Sequence, residues 1–260
     1  MEEALATDVE RMLRAARIGD VDSLRALIES GVDVNVRYPE SGELTNADGT
    51  ALLEAVTWKG DSSHRVPEER HAAAIEFLLE NGADPNIADN RGMTPLHFAA
   101  LSGDCVSIRR LLDAGADPNA KTHAKYGSDG GDAPLHSACM LEKKDSAACV
   151  QMLIQAGARV NEFGSMNLPP LYWAVIRKDP DTLVKVLLRA GADIDMVRQG
   201  RGFSSRANLD LIAAVEKAGG WRAFVLAHRR VVVGLVTKCA PLPTDAAAHL
   251  ASFIWPEGGF

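Results

Sequence analysis

A five-residue phrase recurs five times along this chain, and no other feature of the sequence constrains the fold as much. Its commonest form is Gly-x-Asp-x-Asn, and the copies occupy residues 31–35, 82–86, 115–119, 157–161 and 191–195. A Leu/Ile pair precedes every copy. Glycine after a leucine-rich helical turn indicates a helix end, because glycine accepts the left-handed conformation there. The Asp-x-Asn that follows favours a turn, so the chain is predicted to repeat one helical unit.

The spacing of the copies defines the length of that unit. The interval is 33 residues from Asn86 to Asn119 and 34 from Asn161 to Asp195. The two remaining intervals are 42 and 51 residues, which exceed 33 by 9 and 18. The period is therefore about 33 residues, with insertions in two of the units.

A second pattern marks where the first helix of each unit begins. Its fullest copy is Thr94-Pro95-Leu96-His97, followed by Ala99. Thr94 can cap a helix, Pro95 suits the first helical position, and alanine lets a neighbouring helix approach. Weaker copies stand at residues 50–53, 133–136 and 169–172.

Together these patterns resemble the ankyrin repeat, a β-turn followed by two antiparallel helices. The resemblance implies an all-α solenoid of about five helix pairs with β-turn fingers, over residues 5–195. Residues 196–260 are expected to form a helical cap on the last repeat, since the ends of a solenoid need a polar outer face.

The insertions predict two long fingers, at residues 36–49 and 120–132, with Tyr38 and Tyr126 placed where a partner can reach them. Long loops on a rigid scaffold often carry function, but added loop length is also cheap to tolerate. A third insertion follows Trp58 and predicts a lengthened second helix that starts near Glu68. We interpret this start as solvated and charged, in preference to a metal site of His64, Glu68 and His71.

The resemblance also predicts a binding surface. The two residues before the glycine that ends each first helix face the concave side of such arrays. Apolar side chains form a row at these positions, which favours a protein-binding face; burial under the fingers or the C-terminal segment is the alternative. The predicted partner-binding residues are Trp58, Leu101, Met140, Leu141, Ile176 and Arg177, with the two finger tyrosines.

Enzymatic chemistry has no support in the sequence. His97 and His136 open helices, where a structural hydrogen bond is a simpler role than catalysis. No Gly-x-Ser-x-Gly, His-Glu-x-x-His or paired-carboxylate pattern is present. The four cysteines have no CxxC spacing, so free thiols are expected, with no cofactor and no metal.

Charge and hydropathy narrow the partner class. The formal net charge of −7 disfavours nucleic acid. Neither a secretory signal nor an apolar run of membrane-spanning length is evident. We expect a monomer in the cytoplasm, or the nucleus, that acts as a scaffold for a protein partner.

The C-terminal segment, residues 241–254, suggests a second function. It looks like the first helix of an F-box, and more weakly like a SOCS box. The resemblance implies that the segment docks a ubiquitin-ligase adaptor while the array holds the substrate. A simple capping helix is the alternative interpretation. The residues that would dock are Leu242, Pro243, Leu250, Phe253 and Ile254.

Overall fold

The computed structural model describes residues 2–37, 49–58, 68–123, 131–140, 145–175, 181–193 and 196, and within them all regular secondary structure is helical. The ten α-helices of the described residues pack as five consecutive pairs. One 3₁₀ turn, Ser165–Asn167, precedes the fifth pair. The pairs are α1 (Glu2–Ile18) with α2 (Val21–Glu29), α3 (Ala51–Trp58) with α4 (Glu68–Glu80), α5 (Pro95–Ser102) with α6 (Cys105–Asp113), α7 (Pro134–Met140) with α8 (Ser146–Gln155), and α9 (Pro170–Val175) with α10 (Asp181–Arg189).

The pairs stack in two layers. The first helices of successive pairs pack on one another from α1 through α3, α5 and α7 to α9, and the second helices do the same from α2 to α10. One continuous cluster of buried apolar side chains runs through the whole stack. We call the two layers the inner helices (odd numbers) and the outer helices (even numbers). The predicted all-α solenoid of five helix pairs is confirmed.

Glycine ends each outer helix as predicted. The five phrase glycines have φ between 86° and 95°, which L-residues with side chains rarely adopt. They are Gly31, Gly82, Gly115, Gly157 and Gly191.

The asparagine of the phrase connects each repeat to the next through two hydrogen bonds. Asn86 Nδ2 donates to the Gly115 carbonyl at 3.1 Å, and Asn86 Oδ1 accepts from the Asp117 backbone N–H at 2.8 Å. Asn35, Asn119 and Asn161 make the same pair of bonds to their following repeats. We call these four the asparagine joints.

The insertion after Trp58 lengthens α4 as predicted. This helix has 13 residues, against nine in α2, α6 and α10, and it begins at Glu68. Glu68 and Glu69 are exposed, but His71 is only 3% exposed. The prediction of a solvated start was therefore wrong for His71, because the added turn of helix brings it against the core.

The predicted fingers and cap are only partly described. Residues 38–48 and 124–130 lie outside the described part of the chain, as do residues 197–260, which include the predicted adaptor-docking residues. The helical cap over 196–260 remains a proposal.

Candidate protein-binding face

The inner helices α5, α7 and α9 present four half-buried apolar side chains. Leu101 and Met140 stand near the C-terminal ends of α5 and α7, two residues after Ala99 and Ala138 respectively. Phe98 and Trp173 each stand directly before a buried alanine of their helix, and both pack partly against the core. We call Phe98, Leu101, Met140 and Trp173 the groove face.

Local sequence explains why these side chains are left at the surface. Each of the three helices begins with a proline, and their alanines, Ala99, Ala100, Ala138 and Ala174, are buried. Small residues at the contact let the helices approach closely, so large residues on the remaining side cannot enter the core. Phe98 and Leu101 are three residues apart and therefore share one face of α5.

The structure describes the side chains of only two predicted groove residues. Leu101 and Met140 are half-buried. Trp58 ends α3, but its side chain lies outside the described residues. The remaining predicted residues, Leu141, Ile176, Arg177, Tyr38 and Tyr126, also lie outside them.

Sequence reasoning missed Phe98 and Trp173. The available signal was helical spacing, since Phe98 precedes the predicted Leu101 by three residues and Trp173 precedes the predicted Ile176 by three. Trp173 also makes an edge-to-face contact with Tyr172, with 5.6 Å between ring centroids.

At the N-terminal end of the same layer, an ion pair links the first two inner helices. Arg17, which stands two residues before Gly19 as Leu101 stands before Gly103, donates from Nε and Nη2 to Glu54 Oε2 at 3.2 and 3.1 Å. Glu54 has no exposed surface, and Arg17 is half-buried. A buried carboxylate requires a cation beside it, so this pair ties α1 to α3. Among the side chains that the structure describes, the groove face as defined above begins at the third repeat.

Two buried histidines connect inner helices to the next finger. His97 Nδ1 accepts from the Thr94 backbone N–H at 3.1 Å and lies 2.8 Å from Thr94 Oγ1. His97 Nε2 faces the Asp132 carbonyl at 2.9 Å. Nδ1 is thus the acceptor and Nε2 carries the proton, which is the neutral ring.

His136 repeats this arrangement one unit later. Its Nδ1 accepts from the Ala133 N–H, and its Nε2 faces the Glu162 carbonyl, both at 3.1 Å. Burial lowers the pKa of both histidines. The predicted structural role is confirmed by these bonds, and we call His97 and His136 the histidine joints.

Thr122, His123 and Asp132 lie near the two ends of the predicted finger at 120–132, and backbone and side-chain bonds hold these ends in place. The Thr122 N–H donates to the Asp132 carbonyl at 3.0 Å, and the Asp132 N–H donates to Thr122 Oγ1 at 2.8 Å. The His123 N–H donates to the Arg91 carbonyl at 2.8 Å, which holds this end against the preceding finger. Asp132 Oδ1 accepts from the Ser165 N–H at 2.9 Å on the other side.

The described residues contain neither a metal-binding group nor a helix that could span a membrane. No three His, Cys, Asp or Glu side chains come together there as a metal-binding group. Within the same residues, every helix is too short or too polar to cross a bilayer.

Several much longer proteins contain a region that is similar in sequence to this chain. The chain is 38% identical over 118 residues to the transient receptor potential channel pyrexia of Drosophila melanogaster, covering 45% of this chain and 11% of that protein. It is 31% identical over 196 residues to the neurogenic locus notch homolog protein 1 of Homo sapiens, covering 64% and 7%. It is 26% identical over 249 residues to the ankyrin repeat domain-containing protein SAT10 of Stachybotrys chartarum, covering 92% and 12%. The chain therefore spans about an eighth or less of the length of these relatives.

The family model for ankyrin repeats, which describes three copies, matches residues 12–122 and 64–164. These two matches overlap and together take in more than half of the chain, including the inner helices that carry most of the groove face. With five helix pairs, left-handed glycines and asparagine joints in phase, the chain belongs to the ankyrin-repeat family.

Proposed function

We propose that this chain is a non-catalytic interaction module that binds a protein partner through the groove face. Ankyrin repeats are generic protein–protein interaction modules. The observation that carries the finer proposal is the groove face itself, with Phe98, Leu101, Met140 and Trp173 half-buried on inner helices. Clustered apolar side chains at a surface mark interaction sites, and aromatic residues and methionine are enriched in them.

The joints between repeats support the same proposal. The histidine and asparagine joints hold successive repeats in one arrangement before any partner arrives. A preformed surface loses little conformational entropy on binding, so more of the contact energy appears as affinity.

A matched pair of variants tests the groove face. The double variant Leu101→Ser with Met140→Ser removes apolar area from the face, whereas Val106→Ser removes it from outer helix α6, where Val106 is 52% exposed. Each variant is used as bait for affinity capture and mass spectrometry, after circular dichroism and thermal melting show that its helices remain. Leu101→Gln alone replaces the double variant if the latter melts near the assay temperature.

The expected result is a set of proteins captured by the wild type and by Val106→Ser but at least tenfold depleted with the groove variant. A depletion of this size corresponds to about 1.4 kcal/mol of binding free energy. Equal capture by all three baits would mean that the groove face is not the binding surface.

A second candidate function rests on the sequence pattern of residues 241–254. If Leu242, Pro243, Leu250, Phe253 and Ile254 dock a ubiquitin-ligase adaptor, a cullin and its adaptor co-purify with the full chain and not with a chain lacking 241–260. Recovery of the same proteins by both chains, or by neither, would exclude this role. The groove variant separates the two candidates, because it keeps the adaptor and loses the substrate.

The cytoplasm or the nucleus is the compartment we propose for this module. Fractionation of cells that express the tagged full chain tests that placement.

A further inference from the structure

The sulfur atoms of two cysteines on neighbouring outer helices are in contact. Cys105 lies on α6 and Cys149 on α8, 44 residues later in the chain, and their Sγ atoms are 2.6 Å apart. This separation exceeds a disulfide bond length by about 0.6 Å. The two sulfurs can therefore be joined with little movement of either helix.

We propose that Cys105 and Cys149 form an oxidation site, at which a peroxide converts the two thiols into a disulfide that ties the third repeat to the fourth. Both residues are thiols in the structure, and no CxxC spacing is involved. The inference is independent of the groove face and of any partner.

The two thiols differ in a way that assigns their order of reaction. Cys105 is the first residue of α6 and is partly exposed, with its Sγ also 3.7 Å from the Asp145 carbonyl. Cys149 has no exposed surface, and burial together with the Cys105 contact raises its pKa well above its usual range. Since the reacting species is the thiolate, Cys105 meets the peroxide and Cys149 acts second.

The two steps balance with hydrogen peroxide as the oxidant. In the first step the Cys105 sulfur attacks one peroxide oxygen, the O–O bond breaks, and water leaves, which turns Cys105 into a sulfenic acid. In the second step the Cys149 sulfur attacks the Cys105 sulfur, the S–O bond breaks, and a second water leaves with the Cys149 proton. Two thiols are oxidised by two electrons, and one peroxide is reduced to two waters.

The location of the proposed disulfide determines its effect on the array. It would cross the boundary between the third and fourth repeats, where the inner helices α5 and α7 carry Leu101 and Met140. Each repeat in such an array contacts mainly its neighbours, so a covalent tie at one boundary opposes separation of the array there. A disulfide also restricts the unfolded chain, and a reductant would reverse it.

Peptide mapping tests the site directly on the full, unmutated chain. The reduced protein is treated with hydrogen peroxide, free thiols are alkylated, and the chain is digested with trypsin without reductant. The expected product is a disulfide between the peptides 92–109 and 145–159, which contain Cys105 and Cys149. Cys139 and Cys239 lie in other tryptic peptides and are expected to be alkylated.

Thermal melting gives a second readout. The oxidised wild type is expected to melt roughly 5 °C or more above the reduced protein, and dithiothreitol is expected to abolish the difference. Cys105→Ser should melt at one temperature under both conditions, whereas the control Cys139→Ala, on inner helix α7, should keep the shift.

Two results would overturn the proposal. One is peroxide treatment that drives Cys105 to sulfinic acid while peptides 92–109 and 145–159 stay unlinked. The other is a disulfide from either cysteine to Cys139 or Cys239 in place of the Cys105–Cys149 link.

Discussion

Two sets of side-chain joints connect the repeats, and they differ mainly in burial. The asparagine joints lie at exposed turns, and each makes two bonds to the backbone of the following repeat. The histidine joints lie between an inner helix and the next finger, with no exposed surface at His97 or His136. Both types join a side chain to main-chain groups across a repeat boundary.

The comparison shows how burial changes the consequence of the same kind of bond. When an exposed bond breaks, water replaces the lost partner, so the net loss is small. When a buried bond breaks, the backbone group is left without a partner and bears its full desolvation cost. Burial also makes a histidine joint sensitive to pH, whereas an asparagine has no titratable group.

The largest expected effect comes from removing a histidine joint. His97→Ala should lower the free energy of unfolding by about 3 kcal/mol, because the Thr94 N–H loses its buried partner, the Asp132 carbonyl keeps only the bond from the Thr122 N–H, and a cavity remains. Urea denaturation followed by circular dichroism measures the loss. His97→Gln, which keeps an N–H donor, serves as the control and should lose less; equal losses would show that the bond is not what stabilises this boundary.

Acidification should weaken the same joints in the intact chain. Because burial holds the pKa of His97 and His136 below the ordinary 6.5, the unfolded chain binds protons first as the pH falls. The stabilisation is therefore complete above pH 6.5 and is lost as the pH falls from there through the lowered folded values. Urea midpoints measured from pH 7.5 to 5 should decline accordingly.

The charged side chains that face the two histidine joints determine which control this measurement needs. Asp132 and Asp89 face His97, while Glu162 and Lys121 face His136 beside Asp132. The interval from pH 6.5 to 5 begins at the ordinary pKa of histidine, and a variant that lacks both imidazoles isolates their contribution from that of the other charged groups. The double variant His97→Gln with His136→Gln should decline less over this interval; a decline as steep as in the wild type would place the pH sensitivity elsewhere.

Removing one asparagine joint should have a smaller effect. Asn119→Ala is expected to cost about 1 kcal/mol in urea denaturation, because the Gly157 carbonyl and the Arg159 N–H turn to water instead. The loss should not vary between pH 7.5 and 5. A cost equal to that of His97→Ala would contradict the role assigned to burial.

The smallest expected effect is a gain. Ala133 occupies the position that Thr94 occupies one repeat earlier. The Thr94 hydroxyl lies 2.8 Å from His97 Nδ1, whereas His136 has no such hydroxyl from Ala133 beside its Nδ1. Ala133→Thr should add about 0.5 kcal/mol or more to the free energy of unfolding by supplying a helix-capping hydroxyl. Ala133→Val, which has the same shape without the hydroxyl, is the matched control and should give no gain.

Much of the fold follows from local sequence. Each phrase glycine has a left-handed backbone conformation that residues with a side chain adopt only at a cost in free energy. A single glycine therefore encodes where each outer helix ends. Thr94, Pro95 and His97 define the start of α5 in the same local way. The groove residues Leu101 and Met140 each stand seven residues after the position that opens their helix, Thr94 and Ala133 respectively.

Contacts across repeats are less visible in the sequence. Arg17 and Glu54 are 37 residues apart, and Cys105 and Cys149 are 44 apart, neither of which equals the 33-residue period. Such pairs depend on the lateral offset between stacked helices and on insertions, which shift the numbering. Cys149 does stand eight residues before its phrase glycine, as the buried Ser107 does, so its burial was predictable although its contact was not.

The bonds at the two ends of the predicted finger make the packing of the repeats independent of how many residues lie between Thr122 and Asp132. Thr122 and Asp132 bond to each other, and Asp132 also accepts from His97 and from the Ser165 N–H. The register of the repeats is therefore fixed at the two ends of the finger, whatever number of residues lies between them. An array built this way can accept a different number of residues between Thr122 and Asp132 without rebuilding a repeat, which makes this interval a natural position for grafting a foreign peptide.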